Sequence, residues 1–170
     1  MKLQLNHLSG YLPYGLEMQT PKNYNFDGHR YFEDTVMKVE GLNQNYVKFE
    51  GLPGYHPIDN FKPILRPLSD LTKEIEHEGE RIVPISELLK LYYHKWFNDK
   101  KGSRYEIIEC DTEGYPRAWV KFQATLSIQI NPSNITKEEY WVVQKLLSYH
   151  FDIHSLIPAG LAVDINTLNK

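Results

Sequence analysis

The stretch ITKEEYWVVQKLLSYHFDIHSLIPAGLAVDIN, running from Ile135 to Asn166, decides how this chain is read. Thr136 stands where an N-cap belongs. Glu139, three residues on, completes a capping box, and Ile135 and Tyr140 are spaced as the hydrophobic staple. Tyr140, Val143, Leu146, Leu147 and Phe151 then recur at helical spacing and predict a single apolar face. Pro158 and Gly160 break the chain, and Leu161, Val163 and Ile165 alternate with Ala162 and Asp164 as a short closing strand. His150, Asp152 and His154 lie where helix gives way to strand. In extended backbone these i, i+2 and i+4 positions project to one side, as a metal site requires. In a continuing helix only the two histidines share a face. Asp164 and His94 are candidates for a further ligand, and a His–Asp acid–base pair is the other chemical option. Against both stands an architectural reading, in which the three residues cap the helix and hydrogen-bond the junction.

Upstream, Arg104 to Cys110 and Tyr115 to Ile130 read as a long hairpin turning over Asp111-Thr112-Glu113-Gly114. Val120, Phe122, Ala124, Leu126, Ile128 and Ile130 alternate with Trp119, Lys121, Gln123, Thr125, Ser127 and Gln129, the pattern of a sheet with one wet face. Trp119 on that polar face is a candidate binding residue. Ile85 to Phe97 is a helix whose apolar face carries Ile85, Leu88, Leu89, Tyr92 and Trp96. Just beyond it, Lys100, Lys101 and Arg104 join Lys95 among Tyr93, His94, Phe97 and Tyr105. Cations interleaved with aromatics suit a single-stranded nucleic-acid platform. They equally suit a helix C-terminus, whose dipole favours positive charge.

The first half predicts sheet. Leu12-Pro13-Tyr14-Gly15 is a turn. Leu16 to Thr20, Tyr31 to Glu40 and Tyr46 to Glu50 are strands of an antiparallel meander, with Gly41 to Asn45 turning between the last two. Pro53, Pro57, Pro63 and Pro67 make 51–67 a loop or crossover, because proline interrupts helix and central strand alike. Ser69 or Asp70 then caps a short helix ending near Gly79. Arg66, just before that cap, pairs with Asp70 or another carboxylate, and is also a candidate anion anchor.

The whole chain sets bounds on function. Its 170 residues suit one α+β domain, an antiparallel meander and a long β-hairpin packed with two to three helices. A subdivision near 51–68 is the alternative. Basic and acidic residues number 19 and 22, interspersed, so no basic stripe marks a nucleic-acid wrapper. One cysteine, Cys110, excludes an intrachain disulfide and a cysteine zinc cluster, and it reads as a packing residue. Neither a signal-length apolar run nor a membrane span is present, so a cytoplasmic location is expected. Twelve tyrosines suit half-buried strands and recognition surfaces alike. Nucleotide-binding glycine motifs, zincin pairs and nucleophile elbows are all missing, so no cofactor is implied.

Three segments together resemble a known group: Leu12 to Leu16, Phe61 to Leu71 (FKPILRPLSDL), and His150 to Asp152 with Gly160 to Asn166 (GLAVDIN). The chain resembles small proteins of bacterial phages, prophages and mobile elements, a family with no assigned activity. The resemblance covers about a quarter of the sequence and implies an accessory protein acting in a host cytoplasm. The leading expectation is therefore a non-enzymatic protein that binds a protein partner, an inhibitor of a host defence system being one version. A small-ligand or nucleotide sequestering protein anchored at Arg66 is the second. The third is a metal-dependent enzyme built on His150, Asp152 and His154.

Overall fold

The computed structural model describes every residue except 1, 22–23, 27–28, 32–34, 93–104, 111–115, 122–124, 132–134, 136–137 and 169–170. For 26, 29–31, 92, 105–110, 116–121 and 125–129 it describes backbone alone. The architecture is α+β. The chain divides into two compact units, 1–66 with 146–170, and 67–145. The first boundary falls inside the proline-rich stretch. Among the described residues no helix is long and apolar enough to cross a membrane.

The first unit holds a six-stranded mixed sheet. Its strands are β1 (Glu17–Gln19), β4 (Val36–Asn43), β5 (Tyr46–Phe49), β6 (His56–Pro57), β7 (Lys62–Leu65) and β13 (Val163–Asp164), ordered β13-β7-β1-β4-β5-β6. A separate hairpin, β2 (Tyr24–Phe26) with β3 (His29–Tyr31), interrupts the chain between β1 and β4. The expected strand 31–40 is thus two pieces. The meander is present as β1-β4-β5-β6, but β7 returns to the other side of β1 and accepts β13 in parallel. The sheet is mixed for that reason. Gly41 does not open the turn: β4 runs on to Asn43, and the register shifts between Val39 and Gly41. A glycine within a strand marks such a bulge, having no side chain to pack.

The strand at Lys62–Leu65 corrects the loop reading of 51–67. Pro63 pairs with Met18, and Gln19 with Lys62, while the ladder to β13 begins only at Ile64. The proline, which has no N–H to give, therefore sits at the ends of two short ladders, where its cost is smallest. Pro63, Ile64 and Leu65 are all buried, so their apolar surface outweighs that cost. Before β1 come one helical turn, α1 (Leu5–Leu8), and a 3-10 turn over Leu12–Tyr14, which Gly15 closes at φ +76°.

In the second unit the expected helix after Ser69 is a 3-10 turn, Leu68–Thr72, followed by a tight hairpin of β8 (Ile75–His77) and β9 (Glu80–Ile82). Glu78 and Gly79 both take positive φ, 52° and 82°, the requirement of a two-residue hairpin turn of the primed type. Asp70 is not a cap; it lies inside the turn, buried, with Lys73 Nζ 2.6 Å from its carboxylate. Helix α2 (Pro84–Tyr92) buries Ile85, Leu88 and Leu89 as its periodicity requires. It packs on the turn at Leu68–Thr72 and on the strands Pro116–Lys121 and Thr125–Gln129.

The long hairpin is a three-stranded antiparallel sheet, β10 (Tyr105–Cys110), β11 (Pro116–Lys121) and β12 (Thr125–Gln129). Register pairs Val120 with Leu126 and Lys121 with Thr125, leaving the three residues 122–124 between. With an odd number of residues between two paired strands, positions of one parity remain opposite one another in the register. An unbroken alternation therefore cannot distinguish one long strand from two paired ones.

Helix α3 (Tyr140–Ser148) is shorter than the sequence predicts, and Thr136, its expected cap, lies outside the described residues. The amides of Val142 and Val143 donate to the Glu139 carbonyl at 2.9 and 3.3 Å, so Glu139, three residues beyond Thr136, stands at the helix start. Tyr140 is 78% exposed while Ile135 is buried, so the staple does not form. Two apolar stripes interleave in this helix, and the buried one runs through Val142, Leu146 and Tyr149 rather than through Tyr140 and Val143.

Candidate functional site

Helix α3 ends in a Schellman motif, in which the last carbonyls are satisfied from beyond the helix. The His150 amide donates to Leu147 O and the Phe151 amide to Leu146 O, both at 3.0 Å. His150 holds the left-handed position, φ +59°, where glycine is usual. The two positions whose apolar contact commonly accompanies such motifs are Leu146 and Phe151, both fully buried. Leu147 packs close beside Gly10, where an added Cβ would stand 2.9 Å from Leu147 Cδ1. Because a non-glycine residue in that conformation costs about 1 kcal/mol, His150→Gly should hold or raise unfolding stability in urea melts. A loss above about 1 kcal/mol would mean that the stacking of His150 on Tyr11, ring centroids 6.3 Å apart, outweighs the strain.

From there the chain is sewn to β7. The Arg66 amide donates to His150 O and the Asp152 amide to Arg66 O, each at 2.8 Å, a parallel bridge centred on Arg66 and Phe151. Three of the candidate residues, Arg66, His150 and Asp152, are thus brought together by backbone. The sequence could not show this, since 84 residues separate Arg66 from His150.

Tyr11 supplies the second clamp, and sequence reasoning missed it. Its phenol is buried, donates to Phe151 O at 2.7 Å and accepts from the Ile153 amide at 3.4 Å. Burial pushes the phenol pKa well above its ordinary value; the Ile153 bond lowers it and the nearby Asp152 charge adds to the rise. No local signal marks a tyrosine whose partner lies 140 residues away.

Asp152 is the third clamp. Its carboxylate is buried, and its two oxygens accept the amides of Leu156 at 2.8 Å and Ile157 at 2.7 Å. Such charge-assisted bonds are stronger than neutral ones. They fix the start of the loop 153–160, which closes on itself through Leu161 N–H to Leu156 O at 2.8 Å. Leu156 is buried beneath the loop, whereas Ser155, Pro158, Ala159 and Gly160 are exposed.

The His154 ring meets that of His7 on α1, centroids 5.5 Å apart. Among the described residues no three His, Cys, Asp or Glu side chains are placed to hold a metal ion. The reason is visible in the backbone. A left-handed residue at His150 turns the segment, so i, i+2 and i+4 do not share a side as they would in a strand. Lys100, Lys101 and Arg104 lie outside the described residues, and Trp119 occupies the centre of β11, paired with Ile107 and Ser127.

Elsewhere in the first unit His56 is buried against Tyr24, Phe49 and Phe61, with the Tyr24 hydroxyl 3.0 Å from its Nδ1. Burial lowers its pKa, partly offset by a hydrogen bond with the Pro53 backbone. Burial also lowers that of His154, reinforced by charge on His7 and opposed by Asp152. The unfolded chain then binds more protons than the folded one between the ordinary histidine value near 6.5 and the lowered values. Stability is complete above that window and falls as pH drops through it. The unfolding midpoint should therefore decline between pH 7 and 5, with a shallower decline in His56→Gln; equal slopes would contradict the assignment.

No protein-family model matches the chain, and no match is found among curated proteins or solved structures.

Proposed function

We propose that this protein works by binding another macromolecule, and that the loop 153–160 is part of the surface it presents. The observation that carries the reading is that three separate devices hold one short loop: the Schellman turn with the Arg66 bridge, the Tyr11 hydroxyl, and the Asp152 carboxylate. A loop ordered in advance spends less conformational entropy on association, so its contacts convert more fully into affinity. Its exposed apex, Pro158-Ala159-Gly160, is small and uncharged, suited to close approach by a partner's surface. The buried polar groups of the candidate site serve the loop, which favours binding over catalysis.

The resemblance of the Leu12, Phe61 and His150 segments to phage and mobile-element proteins supports a bacterial host protein as the partner, met in the cytoplasm. A component of a host defence system is the specific version. The test is capture from bacterial lysate by tagged wild-type protein and by Ala159→Arg, with matched unfolding curves. A protein retained by the wild type and lost by the variant is the predicted outcome. No retained protein above background, or equal retention by both, would sink the reading.

A further inference from the structure

Beside the loop lies a groove of about 260 Å³ lined by Lys2, Leu3, Asp59, Phe61, Lys62 and Leu161. Leu161, which directly follows the exposed Gly160, is the loop's link to the groove. We infer that this groove receives an apolar side chain of a partner protein segment whose flanking carboxylates meet Lys2 and Lys62. The inference rests on the binding reading above and names the chemistry of the partner.

Size and charge carry it. At about 260 Å³ the groove lies just under the usual range of small-molecule sites, about 300–1,000 Å³, and has room for an apolar side chain with its flanking chain. Its floor is apolar, with Leu3 and Phe61 nearly buried. Its rim holds two cations against one anion, in a chain whose net charge is −3. Lys2 and Asp59 stand 4.0 Å apart with both side chains mostly exposed, a separation at which the pair contributes little. Among the described residues the Lys62 ammonium has no ion pair, so it remains available to an incoming carboxylate. Complementary charge of this kind speeds encounter and selects partners, while the buried apolar anchor supplies the affinity.

The experiment is an amide chemical-shift titration of the whole protein with three probes. These are a short capped peptide with a Leu-Phe pair between Glu and Asp residues, the same peptide with Lys at the acidic positions, and benzoate. The acidic peptide should move the amides of Leu3, Phe61, Lys62 and Leu161 and bind at least tenfold tighter than the lysine peptide. Lys62→Glu, at an exposed position, should fold normally and reverse that preference. Equal binding of both peptides, no movement at millimolar peptide, or benzoate binding as tightly as peptide would each overturn the inference. In lysate capture, a partner kept by Lys62→Glu but lost by Ala159→Arg would overturn the groove and leave the loop reading standing. A partner kept by both would remove the loop as well.

Discussion

Asp152→Ala should lower the unfolding free energy by about 3 kcal/mol, since two amides at the loop base lose a charged acceptor and each such unsatisfied group costs about 1–3 kcal/mol. The carboxylate is 4% exposed and its two acceptor distances are 2.8 and 2.7 Å, so little solvent can replace it. For a chain of this length that amounts to a fall in melting temperature of roughly 6–12 °C. Asp152→Asn keeps the shape but turns an N–H₂ group toward one of the two amide donors. It should cost nearly as much, a result that isolates the hydrogen bonds from simple packing. His154→Ala, at a half-buried ring that meets His7, should cost less than 1 kcal/mol or so. A larger loss at His154 than at Asp152 in urea unfolding would reverse the roles assigned to them.

Phe151→Ala should be the most damaging single change, by about 3–5 kcal/mol. Its ring is fully buried and stands edge-on to Tyr149, with centroids 6.4 Å apart. The same residue supplies the terminal amide of the Schellman motif and the carbonyl that Tyr11 holds. Truncation therefore leaves a cavity at the point where helix α3, strand β7 and the loop 153–160 converge. Phe151→Leu, which retains most of the volume, should recover more than half of the loss. If Phe151→Ala unfolds within about 1 kcal/mol of the wild type, the convergence described here is not what stabilises the first unit.

Some of this organisation was legible in the residues. The apolar period of Ile85, Leu88 and Leu89 placed α2, and alternation placed β5 and the region of β11 and β12. Pro158 and Gly160 marked the loop before β13. What was hidden depends on distant partners or on parity. Pro63 reads as a breaker until Met18 and Val163 are known to flank β7 only in part. The division between β11 and β12 is invisible because an odd number of intervening residues leaves the alternation intact. In α3, two apolar stripes compete, and only tertiary packing chooses Val142 over Val143. The candidate site was half legible. The architectural reading of His150, Asp152 and His154 anticipated a helix cap, but Tyr11 and the Arg66 bridge lie too far along the chain to leave a local signal.

Amide hydrogen exchange at Leu156 and Ile157 is the decisive measurement on the lock at the base of the loop. With the Asp152 carboxylate holding both amides, they should exchange as slowly as the amides of β7, and in Asp152→Asn they should accelerate while β7 stays protected. Exchange of both amides at the rate of an open loop in the wild-type protein would contradict a loop held ready for binding.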